Sequence, residues 1–598
     1  MQTPSFEIAD CPPEDVARLR RELGVSGALA QVLVRRGLAE PETARAFLAA
    51  DELHPPGAFA GIERAVATIL AHVSAGRRVT IHGDYDVDGV CSTAILLRAL
   101  RALGADVDHY LPDRAGDGYG LAAATVRRLA ARGTRLLISA DCAITAVAEV
   151  ALARELGLDV VVTDHHAQRA DGALPDAPIV HPALCGYPCA ELCATAVAYK
   201  LAQALYERVG RDPRELEREL DLVALATVAD VVPLRGENRA FVRRGLRTLA
   251  ATSKPGLRAL MRVAHVDPGR VDERAIGFAL APRLNAAGRL YRADAGLELI
   301  MTEDPLRAAQ VAEELDRANY ERREVETRIR YDAEAQIAAL GERDAYVLAG
   351  EGWHAGVIGI VAARLAERHH RPVVLIALDG ERGRGSARSI PAFDLLGGLD
   401  ACAEHVLRHG GHRAAAGLEI ERGRVAALAD AFTAHAARVL TPADLLGVER
   451  VDALVGGDEL SMALAEELQR LAPFGRGNPG VSLMLADATF ADARGMGEGR
   501  HVRFTVHSRG ARARAVAFGA GATLPVAEGE PAQATFKLEV NEWNGVSEPR
   551  LVLRHARAAV PEIAAARLQP APARVEHASR QEPEPIEERG ELVLFAMG

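Results

Sequence analysis

The stretch Ile81-His82-Gly83-Asp84-Tyr85-Asp86-Val87-Asp88-Gly89 (IHGDYDVDG) sets three carboxylates on alternate residues and closes them with a glycine. Upstream, RRVT leads into it with the short apolar run of a strand; downstream, STAILLRALRAL has helical spacing. The pattern then repeats. ADVDHYLP reads as a strand, LAAATVRRLAARG as a helix, TRLLISAD as a strand, AVAEVALARELG as a helix and LDVVVTDHH as a strand. This alternation predicts an α/β fold: a parallel sheet with helices on its faces. The carboxyl ends of parallel strands share one edge, where ligands bind.

That edge collects ligand types. Asp141 ends TRLLISAD, Asp164-His165-His166 ends LDVVVTDHH, and Asp230 closes the helical run ELERELDLVALATVAD. The three alternating aspartates also match the first half of a calcium loop. The twelfth position of such a loop needs a bidentate Glu, however, and here it is Ile95, while a strand rather than a helix precedes the stretch. A single Asp at a strand end is ordinarily a cap or turn former. Several strand ends that all carry ligand types point instead to a metal centre. Two like charges 4 Å apart repel by about 4 kcal/mol at an effective dielectric of 20, so gathered carboxylates would protonate unless cations neutralised them. Two divalent cations bridged by Asp141 would do so, as in two-metal phosphoesterases.

The 598 residues are too many for one core, and the 49% apolar content is that of a soluble globular protein. No apolar run reaches the ~20 residues of a membrane span, and the chain opens on a polar, acidic stretch, so a cytoplasmic location is expected. The net charge of −11 argues against a polyanionic partner unless basic residues line a cleft. Cys185, Cys189 and Cys193 are spaced C-x3-C-x3-C, but the third runs into a helical stretch, which favours small buried thiols over a zinc knuckle.

Further along, Asp304-Pro305 starts and Gly341 stops a helix of roughly 35 residues, about 50 Å long, suited to connecting two domains. A second α/β segment follows, and residues 450–557 turn strand-rich, suggesting a small barrel. From residue 558 the chain becomes rich in Pro, Ala and Glu and reads as a flexible tail ending in LVLFAMG, which would dock on a partner or add a strand to the barrel.

HGDYDVDG, DCAIT, VVTDHH and ATVADVVPL together resemble the DHH phosphoesterase superfamily. With EGWHAGVIGIVAARLAE, GRGSARSI, GGHRAAAGLE, PFGRGNP and NEWNG, the whole order is similar to the RecJ family of single-strand-specific exonucleases. The resemblance implies a helical leader over 1–61, a DHH catalytic domain over 62–300, a connecting helix over 301–343, a smaller α/β DHH-associated domain over 344–440 and an OB-fold β-barrel over 450–557. It also implies two divalent cations, Mn2+ or Mg2+, held by Asp84, Asp86, Asp88, Asp141, His165 and Asp230, with His82 as an alternative to Asp84. Asp141, Asp164 and His166 would be catalytic.

The implied reaction is 5′-to-3′ removal of nucleotides from single-stranded DNA in repair and recombination. Contacts to DNA are expected from Arg283, Asn285, Arg289, Ser386, Arg388, Gly410, Gly411 and His412; of the barrel aromatics Phe504, Phe518, Phe536 and Trp543, most read as core, and Trp543, beside the Asn544-Gly545 turn, is singled out as a stacking platform. Replication or repair proteins would meet the tail. A cyclic-dinucleotide phosphodiesterase and a non-catalytic single-strand-binding scaffold are the competing readings. Two departures stand out: Ala143 occupies a position where the family pattern leads one to expect Gly, and CATAVAYK replaces a more Gly-rich segment.

Overall fold

The computed structural model describes residues 4–112, 120–290, 294–521, 523–543 and 546–559; the tail from residue 560 lies outside them. The chain divides into two compact units. One comprises Ala50–Val439 together with Pro473–Asn478; the other draws on the chain up to Ala49, on Leu440–Ala472 and on the chain from Pro479.

The larger unit begins with the expected parallel sheet. Its strands are β1 (Val79–Gly83), β2 (Val107–Tyr110), β3 (Leu136–Ala140), β4 (Asp159–Thr163) and β5 (Ile179–Val180), in the spatial order β2-β1-β3-β4-β5. All pairings are parallel. Chain order reverses between β1 and β3, and that switch point opens a crevice at the carboxyl ends of the strands. β1 is buried along its whole length, as continuous Val-Thr-Ile patterning requires of a central strand covered on both faces. Helix α1 (Val87–Ala102) follows it, starting where the Asp86 side chain accepts from the Gly89 amide. Helices α2 (Ala194–Arg208) and α3 (Leu220–Ala229) pack with α1 in one core that includes Ile81, Leu96, Ile138, Val161, Val197 and Leu225.

Helix α4 (Ala281–Leu290) precedes helix α5 (Pro305–Leu340), the long connector. Asp304 caps α5 by accepting from Leu306 N at 2.9 Å, and Gly341, at φ 71°, ends it. Ala308, Val311 and Leu315 of α5 enter the core beneath the first sheet, whereas Ile329, Ala333 and Ile337 enter a second core with Leu348 and Val361. One helix therefore serves two hydrophobic cores.

The second core belongs to a mixed sheet of β6 (Tyr346–Glu351), β7 (Val373–Asp379), β8 (Arg382–Arg388), β9 (Arg408–Gly411) and β10 (Ala415–Glu421), ordered β9-β10-β8-β7-β6 and flanked by helix α6 (Ile358–His369). Only β6 and β7 run parallel.

In the smaller unit, β11 (Leu483–Met496), β12 (His501–Ser508), β13 (Ala511–Ala517), β14 (Ala532–Trp543) and β15 (Val546–Ala558) close into a five-stranded barrel. Pairing runs from β11 through β12, β13, β15 and β14 back to β11. The leader contributes helices and a short strand, Ser5–Glu7, which pairs with Val448–Arg450.

A candidate two-metal centre

The crevice at the switch point receives side chains from four places. Asp84 and Asp86 lie between β1 and α1, Asp141 follows β3, Asp164-His165-His166 follows β4, and Asp230 ends α3. Gly89 allows the first of these to form: a Cβ there would lie 2.5 Å from the Asp84 backbone nitrogen, so only glycine lets α1 start against that loop.

His165 Nε2 lies 3.3 Å from Asp141 Oδ1, 3.6 Å from Asp230 Oδ2 and 3.7 Å from Asp88 Oδ2. Three groupings have the closeness of a ligand set: Asp84 with Asp86 and Asp141; Asp88 with His165 and Asp230; and Asp141 with His165 and His166. Asp141 appears in two of them, as a bridging carboxylate would. His82 appears in none; its ring is buried, with Nδ1 3.5 Å from Cys142 Sγ.

The electrostatics fit cations. Asp141 Oδ1 and His165 Nε2 are buried and make no hydrogen bond among the described residues. Burial first, and then the neighbouring Asp88, Asp86, Asp84 and Asp230 carboxylates, push the Asp141 carboxyl well above the usual range. Asp230 is pushed well above it by burial, Asp88 and Asp86, and Asp86 is raised by burial and Asp88. Burial lowers His165, favouring the neutral imidazole that ligates metal. Donor atoms around an octahedral ion with bonds of about 2.1 Å sit about 3 Å apart, close to the observed separations.

Two of the expected roles change. Asp164 is not presented to a substrate: Oδ1 accepts from His165 N at 2.8 Å, His166 N at 3.1 Å and His166 Nδ1 at 2.8 Å, while Oδ2 accepts from Ile144 N at 2.9 Å. It is a positioning residue that aims His166. Burial opposes the Asp164 charge, but the bonds to His166 and the backbone outweigh it and lower its pKa; burial likewise opposes the His166 cation, yet Asp164 pushes that imidazole up to about 9. Asp88 is a capping group as well as a potential ligand, since Ala194 N and Thr195 N at the start of α2 each donate to it at 2.7 Å.

Backbone strain concentrates here. Asp141 (φ 69°), Ala143 (φ 82°) and Val231 (φ 58°) are all left-handed. The Gly expected at Ala143 is explained by that angle.

The DNA-contact residues separate. Asn285 is buried, and its Oδ1 accepts from Val87 N at 3.0 Å; Arg283 Nε donates to Asp316 Oδ1 at 2.8 Å and its NH1 to Ala279 O at 2.7 Å. Both make internal bonds. The side chains of Arg289 and Trp543 lie outside the described residues. Arg388 NH1 donates to Ser386 Oγ at 3.2 Å and to Ala387 O at 2.8 Å. Its guanidinium pKa is lowered by burial, and no carboxylate among the described residues pairs with it. A Cβ on Gly359, in the first turn of α6, would come 2.8 Å from Ser386 Oγ, so that pair sits directly against the helix start.

Gly411 is a close-approach glycine: its Cβ would meet Ala415 O at 2.4 Å. The His412 amide donates to Ala415 O at 2.8 Å, which leaves the exposed imidazole, rather than that amide, for any phosphate. In the barrel, Phe504 and Phe536 are core residues, 4% and 1% exposed, while Phe518 is 51% exposed with Arg550 above its ring. Cys185, Cys189 and Cys193 join no metal-ligand group among the described residues.

The sequence reading missed Arg476. The Pro473–Asn478 turn is fastened by Leu234 N donating to Arg476 O at 2.7 Å and Arg239 NH1 to Pro473 O at 3.2 Å, and the Arg476 charge acts on Asp230. Its sequence signals were the flanking glycines, Gly475 and Gly477, and its place in the family-like segment PFGRGNP.

Family models match in three places: the DHH family N-terminal domain over residues 78–227, the DHHA1 domain over 342–438 and the RecJ OB domain over 451–555. The chain is 36% identical to the single-stranded-DNA-specific exonuclease RecJ of Bacillus subtilis, covering 92% of this chain and 70% of that protein. It is 34% identical to RecJ of Escherichia coli, covering 92% and 97%. The crystal structure of Thermus thermophilus RecJ in complex with Mn2+ superposes with a TM-score of 0.81 at 32% identity, covering 93% of this chain and 80% of that one; the Mg2+ complex gives 0.75. The three domain matches fall in the order of the fold described above, and the chain belongs to the RecJ family of single-stranded-DNA-specific exonucleases.

Proposed function

We propose that this chain is a metal-dependent exonuclease that removes nucleoside 5′-monophosphates from the 5′ end of single-stranded DNA. The observation that carries the reading is the convergence of Asp84, Asp86, Asp141, His165 and Asp230 around buried donor atoms that lack hydrogen bonds. Asp84, Asp86 and Asp141 would hold one divalent cation, and Asp88, His165 and Asp230 the other, with Asp141 Oδ1 3.3 Å from His165 Nε2 between them. Mn2+ and Mg2+, the ions in the Thermus complexes, supply Lewis acidity that activates water and offsets charge developing at phosphorus.

The chain's own groups do the remaining work. Asp164 holds the His166 ring toward the same edge, where the imidazole meets a phosphate oxygen. Ser386 and Arg388 beside the start of α6 grip a backbone phosphate, a role suited to a guanidinium that pairs with no carboxylate among the described residues. Phe518 offers a face on which a base stacks. The 5′ polarity and a setting in repair and recombination rest on family membership; a cytoplasmic location and the docking of replication or repair proteins on the apolar LVLFAMG end of the tail rest on the sequence. No helix among the described residues is long and apolar enough to cross a membrane.

A single-stranded oligonucleotide labelled at either end, incubated with Mn2+ or EDTA, tests the reading. The expected result is Mn2+-dependent release of mononucleotides beginning at the 5′ label and absent in Asp141→Ala. Digestion from the 3′ end overturns the polarity. An intact strand alongside a cleaved dinucleotide assigns the protein to small substrates, and no cleavage of either assigns it to binding alone.

A further inference from the structure

We propose that Asn285 is a positioning residue for the metal centre, setting the affinity of the site for its cation by fixing the peptide between Asp86 and Val87. The inference rests on the two-metal reading above.

Val87 is the first residue of α1, and its amide is one of the donors that a helix start leaves without an intrahelical partner. Asp86 caps the same helix, but its side chain accepts from Gly89, two residues further on. The Val87 amide is satisfied from outside, by Asn285 Oδ1 at 3.0 Å in a buried contact. That bond fixes the plane of the Asp86–Val87 peptide and with it the direction of the Asp86 side chain, which joins Asp84 and Asp141 in a ligand group.

A second contact from the same helix face supports the assignment. Gly288 lies one turn beyond Asn285 on α4, and a Cβ there would come 3.0 Å from Tyr85 O. Helix α4 therefore touches the acidic loop at Tyr85 and Val87, on both sides of Asp86. Its own position is set by Arg283, which bonds back to Ala279 O and across to Asp316 on α5. Just before α4 the chain makes one π-helical turn, Ile276–Leu280, an irregularity often found at functional sites. The acidic loop is thus linked through α4 to the same helix that carries Ile329, Ala333 and Ile337 into the second core.

Residues that only support metal ligands typically change metal affinity by about 10–100-fold when removed. Asn285→Ala leaves the Val87 amide without its acceptor, whereas Asn285→Asp keeps an oxygen at the same place. The measurement is Mn2+ binding by calorimetry on the full-length protein, with KM for a single-stranded oligonucleotide taken in parallel. Asn285→Ala is expected to weaken Mn2+ binding by at least about tenfold, to lower turnover in a way that raised Mn2+ restores, and to leave KM within about twofold. Asn285→Asp is expected to bind Mn2+ within about threefold of wild type. If Asn285→Ala bound Mn2+ normally but raised KM, the residue would be a DNA contact and the proposal would be overturned. If Asn285→Ala fails to fold, Asn285→Asp decides: a tenfold loss of Mn2+ affinity despite its retained oxygen contradicts the role. Wild type that binds Mn2+ but degrades no single strand would sink the exonuclease reading while leaving this one standing.

Discussion

The two α/β halves of the larger unit each hold charge that their own side chains leave uncompensated, and the charges are of opposite sign. At the edge of the first sheet, Asp86, Asp141 and Asp230 are raised first by burial and then by Asp88, and Asp86 adds to the last two. In the second sheet, Arg388 is held against a helix start with no carboxylate partner among the described residues. The first arrangement suits cations and the second suits a phosphate. On the proposed function, metal affinity and substrate affinity belong to different halves, and substitutions in the two should separate them.

The largest effect is expected at the bridging carboxylate. Asp141→Asn should lower the exonuclease rate by more than the ~10–100-fold typical of groups that merely support ligands. The same variant should melt at a higher temperature than wild type in EDTA at neutral pH, because it removes a buried carboxyl whose ionisation folding opposes. A lower melting temperature in EDTA would show that the cluster is compensated from within, breaking the contrast between the halves. Conversely, Mn2+ at 100 times its dissociation constant should stabilise wild type by about 2.7 kcal/mol, with no such gain for Asp141→Asn; thermal melts with added Mn2+ measure this.

Next comes Arg388→Ala. A charged hydrogen bond is worth about 1.5–3 kcal/mol, so KM for single strands should rise roughly 10- to 100-fold while Mn2+ binding is unchanged. An effect on Mn2+ binding would merge the two halves into one site.

The barrel offers a smaller, internal contrast. Phe504→Ala should cost about 3–5 kcal/mol of stability, since that ring packs on Phe490 in the core. Phe518→Ala should leave stability within about 0.5 kcal/mol and weaken single-strand binding by about 1–3 kcal/mol, read by fluorescence anisotropy. Equal effects on binding would remove Phe518 as a platform.

The smallest change is expected from Ala143→Gly. A left-handed alanine costs about 1–2 kcal/mol, and glycine's extra unfolded-state freedom returns about half of that, so a gain of up to about 1 kcal/mol is expected in a thermal melt.

The acidic edge was legible because its signals are local. Short apolar runs mark strands, parallel strands share a carboxyl edge, and the first one or two residues past each run must lie there, as Asp84, Asp141 and His165 do. Even Ala143 carried a signal, since a position expected to be Gly proved to need a positive φ. The direction of a polar side chain on a helix is set by whatever packs against it, and for Asn285 that is an amide 198 residues away. The Arg283 bond to Asp316 was hidden for the same reason, its partner being on another helix. The roles of Asp164 and Asp88 depended on which backbone amides the folded chain brings to their oxygens. Phe504 was readable after all: Val502, Phe504 and Val506 alternate inward along one strand, which marks the ring as core.

The most direct test of the two-metal centre is the stoichiometry of Mn2+ binding to the full-length protein by calorimetry, in wild type and in Asp141→Ala. Two ions per chain in wild type, with both weakened by the single substitution, is the result that a shared Asp141 carboxylate predicts. One ion per chain, or two that bind Asp141→Ala as tightly as wild type, would contradict it.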